Sequence, residues 1–311
     1  MITRNALDVL APCPQGKRRK EFIVNKLVKR LITFIIGIPA LVIVTLMPYY
    51  HHLPINIAAA VFTAIGAVEF SSMLKKKYLH NITKAEAFIY GALIPSALIL
   101  IINFNYPEWI LPLFIITAVG WILISRIFSK PEKLDSFVNH LSSGFALIIY
   151  PGFFISWIPK MTVWENAGAV ILVFLMIPLG SDSLAWLTGT LFGKNNRGII
   201  AISPNKSIAG FIGGLVGSTA IIGVAMSAAP DVFVLRSDFI PAVLVMLIFG
   251  ICTGLSTALG DLAESAIKRS CGVKDSGKLM QGRGGILDTI DSIAFTAPVY
   301  YALFNLFFAK S

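Results

Sequence analysis

The chain has 311 residues, 56 % of them hydrophobic and only 14 % charged, with a mean hydropathy of +0.78. Charge this sparse excludes an ordinary soluble domain, where about a quarter of residues are charged. The long apolar runs do not alternate, which excludes a transmembrane β-barrel. A formal net charge of +10 would suggest nucleic acid in a soluble protein, but in a lipid-embedded chain topology explains it more simply.

Residues 1–30 are basic and polar, with "CPQGKRRKEF" at Cys13–Phe22. They lack the apolar stretch of a cleavable signal peptide and are expected to form a cytoplasmic tail. Nine helices are predicted to follow, over 31–48, 54–73, 86–104, 109–128, 137–158, 167–191, 207–227, 238–262 and 285–308. Each is near the ~20 residues that cross ~30 Å of hydrocarbon. The fifth is the weakest, diluted by Ser142, Ser143 and Gly144. The expected fold class is an all-α polytopic membrane protein with about five N-terminal helices in 31–165. A C-terminal catalytic region of about four helices follows in 166–311, with a cytoplasm-facing polar cavity.

Alternating these spans puts every Lys and Arg on one side except Lys160, Arg236 and Lys310. The positive-inside rule then places the N-terminus in the cytoplasm and the C-terminus outside. Topology absorbs most of the +10, so no nucleic-acid partner is expected. No internal repeat is evident, which argues against an inverted-repeat transporter. Cys13, Cys252 and Cys271 match no metal spacing, and no disulfide is expected.

Three constellations in the C-terminal half carry chemistry. In "GSDSLAWLTGTLFGKNNRG" (180–198), Asp182 lies in or near the end of an apolar helix. An unpaired charge there costs several kcal/mol, so Asp182 is either half of a structural pair or a contact for a cation or substrate. Gly189 and Gly193, four apart, read as a close-packing face. In "ISPNKSIAGFIGG" (202–214), the Ser203–Asn205 stretch reads as a capped helix start. Such an N-terminus suits phosphate, with Lys206 and Ser207 adding a charge and a hydroxyl; an ordinary capped helix is the plain alternative.

In "GDLAESAIKRSCGVKDSGKLMQGRGGILDTID" (260–291), Asp261 and Glu264 share a helical face, as do Asp288 and Asp291. Paired carboxylates near lipid need something positive between them. A divalent cation serves, and Mg²⁺ commonly takes one or two carboxylates plus phosphate oxygens. A watery vestibule neutralised by Lys and Arg is the alternative, and Glu264 with Lys268 could simply pair. Between the acidic pairs lie Lys268, Arg269, Lys274, Lys278 and Arg283 among five glycines, a phosphate-binding composition. Together these suit phosphoryl or nucleotidyl transfer to a lipid.

The stretch "SAIKRSCGVKDSGKLMQGRGGILDTID" resembles the signature of the phosphatidate cytidylyltransferases, or CDP-diacylglycerol synthases. Ser265, Lys268, Arg269, Lys274, Asp275, Gly284, Gly285, Asp288 and Asp291 fall in its register. "SDSLAW" and "FGKNN…ISPNKSIAG" are similar to the family's upstream segments, and "VEFSSML" (68–74) is loosely so. The resemblance implies transfer of a cytidylyl group from CTP to phosphatidic acid, giving CDP-diacylglycerol and pyrophosphate, with Mg²⁺ and a second cation left open. It implies Lys268, Asp288 and Asp291 as catalytic, and Asp288, Asp291, Asp261 and Asp182 as metal ligands. Ser203, Lys206, Arg269, Lys274, Asp275 and Arg283 are implied as substrate contacts. An integral bacterial inner-membrane protein with a cytoplasmic active site is expected, with a homodimer as the expected assembly.

The chain departs from the pattern at four positions: Gln281 replaces a proline, Arg283 a histidine, Thr289 an arginine and Ala209 a glutamate. Arg283 keeps a positive charge but cannot exchange a proton near neutral pH. These departures leave two rivals open, a CTP-dependent enzyme for another lipid acceptor and a non-catalytic paralogue or lipid-phosphate transporter.

Overall fold

Pairs of helix ends converge at one edge of the bundle, and the sequence shows why. The computed structural model describes residues 35–78, 82–127, 136–198, 200–237, 239–280 and 284–308. Helices α1 (Ile35–Leu46), α2 (Leu53–Leu74), α3 (Lys84–Phe104) and α4 (Ile110–Ile124) come first. A broken segment follows: α5 (Phe137–Leu147), a π-helical turn (Ile148–Phe153) and α6 (Trp157–Met161). Helices α7 (Ala167–Phe192), α8 (Ile208–Ala228), α9 (Ala242–Ser270) and α10 (Leu287–Phe307) complete the chain. Among the described residues the only β pairings are isolated bridges.

Seven segments are long and apolar enough to cross a membrane: α2, α3, the stretch Phe137–Met161, α7, α8, α9 and α10. The chain is therefore a multi-pass membrane protein of helical class. Of the nine predicted spans, the first and fourth correspond to shorter apolar helices, α1 and α4. The weak fifth segment is interrupted rather than diluted. Pro151 lies in the π turn, where its missing N–H breaks the regular helical ladder. Gly144 of α5 lies against Ile122 of α4, since a Cβ there would sit 2.8 Å from its Cδ1.

Between helices in lipid there is little hydrophobic force, so close van der Waals approach must supply the attachment. Small residues provide it. A Cβ on Gly217 of α8 would lie 2.6 Å from the carbonyl oxygen of Gly180 on α7. Gly189, one of the predicted packing glycines, faces the Cα of Gly210 at 3.6 Å from where its Cβ would be. The α8–α9 seam is tied by Ser218 Oγ donating to the Gly250 carbonyl (2.7 Å). On the N-terminal side, Gly91 of α3 lies flush on the Thr63 carbonyl of α2.

The end of α10 remote from the site is held by aromatic packing. Phe174, Tyr300, Phe249 and Phe304 stack and tilt together, and the Tyr300 hydroxyl donates to the Val170 carbonyl (2.9 Å). The α1–α2 turn takes an unusual route. Tyr50, His51 and His52 all have positive φ, a conformation costing roughly 1–2 kcal/mol per residue. Buried Asn103 offsets this by donating to the Tyr50 carbonyl (2.5 Å) and the His51 carbonyl (3.1 Å). At the opposite edge, the C-terminal ends of α2, α7 and α9 meet the N-terminal ends of α8 and α10.

Candidate active site

Helix α10 begins at Leu287 after Ile286, whose apolar side chain cannot cap it. The first amides of a helix need outside acceptors: the Glu69 carboxylate serves Leu287, and Ser276 Oγ serves the Asp288 amide at 3.3 Å. Glu69 of α2 accepts on Oε2 from the Leu287 amide (3.0 Å) and from Ser276 Oγ (3.2 Å). Asp288 accepts on Oδ2 from the Ser276 amide (2.9 Å), Ser276 Oγ (2.9 Å) and the Gly285 amide (2.7 Å). The one hydroxyl hydrogen of Ser276 serves either carboxylate at a time. Gly284 has φ +112°, a conformation open to glycine, and it folds the loop back over Asp288.

The other oxygen of Asp288, Oδ1, accepts from Lys268 Nζ at 2.6 Å. The same ammonium bonds Oε2 of Glu264, one helical turn earlier on α9. Glu264 is completely buried, and among the described residues its second oxygen Oε1 has no hydrogen-bond partner. Asp291, one turn into α10, is buried and accepts from the Ser292 amide (2.5 Å). It lies within coulombic reach of Asp261, Glu264 and Asp182, so α7, α9 and α10 contribute to one acidic field.

Beside this cluster a cavity of about 670 Å³ opens between α7, α8 and α9. Asp182, Arg197, Lys206, Ser207 and Asp261 line it with Trp186. Lys206 pairs with Asp261 at 2.6 Å, each about one third exposed. The cap of α8 is Ser207, which accepts from the Gly210 amide at 3.0 Å. This corrects the expectation that the Ser203–Asn205 stretch caps the helix. Those residues instead form a turn, in which the Ser203 carbonyl accepts from the Lys206 amide (3.0 Å). Ser207 wins because its backbone is extended just before the helical run, the geometry a capping hydroxyl requires.

Of the residues singled out from the sequence, Lys268, Asp288 and Asp291 come together, with Asp182, Lys206 and Asp261 around the adjoining cavity. Ser203 is not among the cavity residues. Arg269, at the end of α9, and Lys274 and Asp275, in the loop after it, are exposed, and Arg269 donates to the Val273 carbonyl (3.4 Å). Arg283, like Gln281, lies outside the described residues. At the other departures, the Thr289 hydroxyl donates to the Gly285 carbonyl (3.2 Å) and the Ala209 carbonyl accepts from Thr188 Oγ1 (2.9 Å). Sequence reasoning missed Glu69 and Ser276 as members of the site. The available signal for Glu69 was a lone acid inside an apolar helix, which marks function by its cost.

Among the described residues, the arrangement favours cations. Carboxyl groups of Glu69, Asp182, Asp261, Glu264, Asp288 and Asp291 outnumber the cationic groups of Arg197, Lys206 and Lys268. Among the described residues, no three His, Cys, Asp or Glu side chains converge into a metal cage. That composition fits Mg²⁺, which binds through one or two carboxylates with waters and substrate phosphates rather than a full protein cage.

The cytidylyltransferase family model matches residues 28–307. An uncharacterized Escherichia coli protein, YnbB, is 32 % identical over 209 residues, covering 65 % of each chain. A phosphatidate cytidylyltransferase of Staphylococcus saprophyticus is 33 % identical over 206 residues, 65 % of this chain and 74 % of its own. One from Helicobacter pylori is 29 % identical over 280 residues, 90 % of this chain and 93 % of its own.

Proposed function

The chain belongs to the cytidylyltransferase family, and on that premise we propose that it transfers a cytidylyl group from CTP to phosphatidate, giving CDP-diacylglycerol and pyrophosphate. The observation that carries the proposal is the meeting of the signature residues at one end of the bundle. Lys268, Asp288 and Asp291 stand beside a cavity that holds Lys206, Asp261 and Asp182. A phosphate oxygen of phosphatidate attacks the α-phosphorus of CTP. The bond to the β-phosphate bridging oxygen breaks, and pyrophosphate leaves with the electron pair.

The residues take distinct parts. Lys206, Arg197 and the Ser207-capped start of α8 present positive charge and free amides to phosphate groups. Lys268, held between Glu264 and Asp288, is aimed at the transferring phosphoryl group. Arg269 and Lys274, both exposed, serve the approach of the anionic substrates, while Ser203, Asp275 and Arg283 are substrate contacts on the resemblance alone. Asp288, Asp291, Asp261 and Asp182 would hold Mg²⁺. When bound, the ion neutralises the charge that develops on the triphosphate. Asp288 has three donors on Oδ2 and only Lys268 on Oδ1, so Oδ1 is the oxygen with a lone pair left for the ion.

The proposal includes nine spans with the N-terminus and the site on the cytoplasmic side of a bacterial inner membrane. A homodimer is its working assembly. One observation supports a second reading, an acceptor other than phosphatidate. Thr289 turns its hydroxyl onto Gly285 where the resemblance expects a cationic arginine, so one positive contact for a lipid phosphate is missing.

The test is purified protein in mixed micelles with phosphatidic acid, labelled CTP and Mg²⁺, with EDTA as the control. The expected result is CDP-diacylglycerol that disappears with EDTA. Folded protein giving no product with phosphatidic acid, but product with an isoprenoid lipid phosphate, would move the function to the second reading. No product with either acceptor would refute both.

A further inference from the structure

We propose that Glu69, in the N-terminal half, is a positioning residue of the transfer site. It holds the start of α10, together with Ser276, Gly277 and Gly285, in the register that aims Asp288 and Lys268. The inference rests on the proposed transfer reaction and adds a residue which that reaction's signature does not contain.

Four observations converge on it. Helix α10 has no cap of its own, and Glu69, 218 positions away in sequence, supplies the acceptor for its first amide at 3.0 Å. The same oxygen shares Ser276 Oγ with Asp288, at 3.2 and 2.9 Å. The state of Ser276 therefore depends on both carboxylates, and Asp288 is coupled to Glu69 through a single hydroxyl. Gly277 and Gly285 both press on the Glu69 carboxyl group, and a Cβ on either would overlap its oxygens. At these two glycines there is no room between backbone and carboxylate. Finally, among the described residues Glu69 has no Lys, Arg or His within ion-pair distance. Its partners among the described residues are the Leu287 amide and the Ser276 hydroxyl, on the helix and loop that hold Asp288, so it acts on placement.

The chemical consequence follows from geometry. Asp288 sits on the first turn of α10, and its Oδ1 fixes Lys268. Releasing the helix start lets Asp288 shift, and Lys268 follows it or falls back onto Glu264. A misplacement of about 1 Å at a reacting group can cost roughly 100-fold in rate. The N-terminal half is thereby joined to the chemistry through one carboxylate, and is more than a lipid anchor.

The experiment compares wild type with Glu69→Gln, Glu69→Ala, Ser276→Ala and the Glu69→Gln/Ser276→Ala double variant in the micelle assay. Each variant is checked for folding by thermal unfolding in detergent. Wild-type turnover is the control for the underlying reaction; its absence refutes that reaction, and this inference with it. With active wild type, Glu69→Gln is expected to lower kcat by about 10- to 100-fold, with KM for CTP changed less than about 3-fold. Glu69→Gln keeps one acceptor oxygen, so it should retain more activity than Glu69→Ala. The double variant should cost little more than the worse single, because both changes act through one network. Hydrogen exchange of the segment 276–290 should be about tenfold faster in Glu69→Gln and unchanged on the rest of the chain. A kcat within about 2-fold of wild type in folded Glu69→Gln would overturn the inference. So would a loss confined to KM, a fully multiplicative double variant, or unchanged exchange in 276–290.

Discussion

Replacing Asp288 by Asn tests the site at its most connected point. The carboxylate only accepts, and all its partners are donors: Lys268 Nζ on one oxygen; the Ser276 amide, Ser276 Oγ and the Gly285 amide on the other. An amide cannot meet both sets. Its oxygen will take the side with three donors, which turns the NH₂ toward the Lys268 ammonium. That breaks an ion pair whose partners are only 13 % and 8 % exposed. Removing one partner of a buried pair costs ~3–5 kcal/mol. Lys268 keeps Glu264, so the low end, about 3 kcal/mol, applies. Against typical total stabilities of ~5–15 kcal/mol the variant stays folded. Its transfer activity should fall by at least ~100-fold, the usual cost of one electrostatic contact at a reacting centre. The measurement is Mg²⁺-dependent CDP-diacylglycerol formation in mixed micelles, beside a thermal melt in the same detergent. Folded Asp288→Asn with near-normal turnover would remove Asp288 from the chemistry and refute the placement of the metal.

Asp261→Asn should separate activity from stability. The Lys206–Asp261 pair is about one third exposed, so stability should change by less than ~1 kcal/mol, while kcat/KM falls at least about tenfold as a cation contact is lost; unchanged kcat/KM would place the cavity outside the reaction. Gly217→Ala should force α7 and α8 apart, because the new Cβ would lie 2.6 Å from the Gly180 carbonyl oxygen. Overpacking of this kind costs ~1–3 kcal/mol, so the detergent melting temperature should drop by about 3 °C or more, and an unchanged melt would contradict the packing argument. The proposed orientation predicts opposite labelling of two single cysteines, in a chain with Cys13, Cys252 and Cys271 replaced. A membrane-impermeant maleimide should reach Arg236→Cys on intact cells, and Lys194→Cys only after permeabilisation; the reverse pattern would invert the topology.

The apolar runs alone determined that this chain is a multi-pass helical protein. Hydrocarbon leaves a backbone few other ways to satisfy its amides, so length and composition suffice. The spacing of Asp261–Glu264 and Asp288–Asp291 likewise determined which acids share a face, because a helix repeats locally. The i,i+4 neighbours Glu264 and Lys268 do pair as the spacing allows. What the spacing could not contain is that Lys268 also reaches Asp288, or that Asp288 arrives with three donors already on one oxygen. Nor could it place Glu69, read as part of a loose resemblance in "VEFSSML", against an amide 218 positions away. The break at Pro151 and the transfer of the α8 cap to Ser207 are of the same kind, since each depends on how neighbouring segments are held. Local chemistry sets which residues can form helices and which can carry charge. Only the packing of α2 against the start of α10 decides which carboxylate caps which amide, because those partners meet through tertiary contact and share no local pattern.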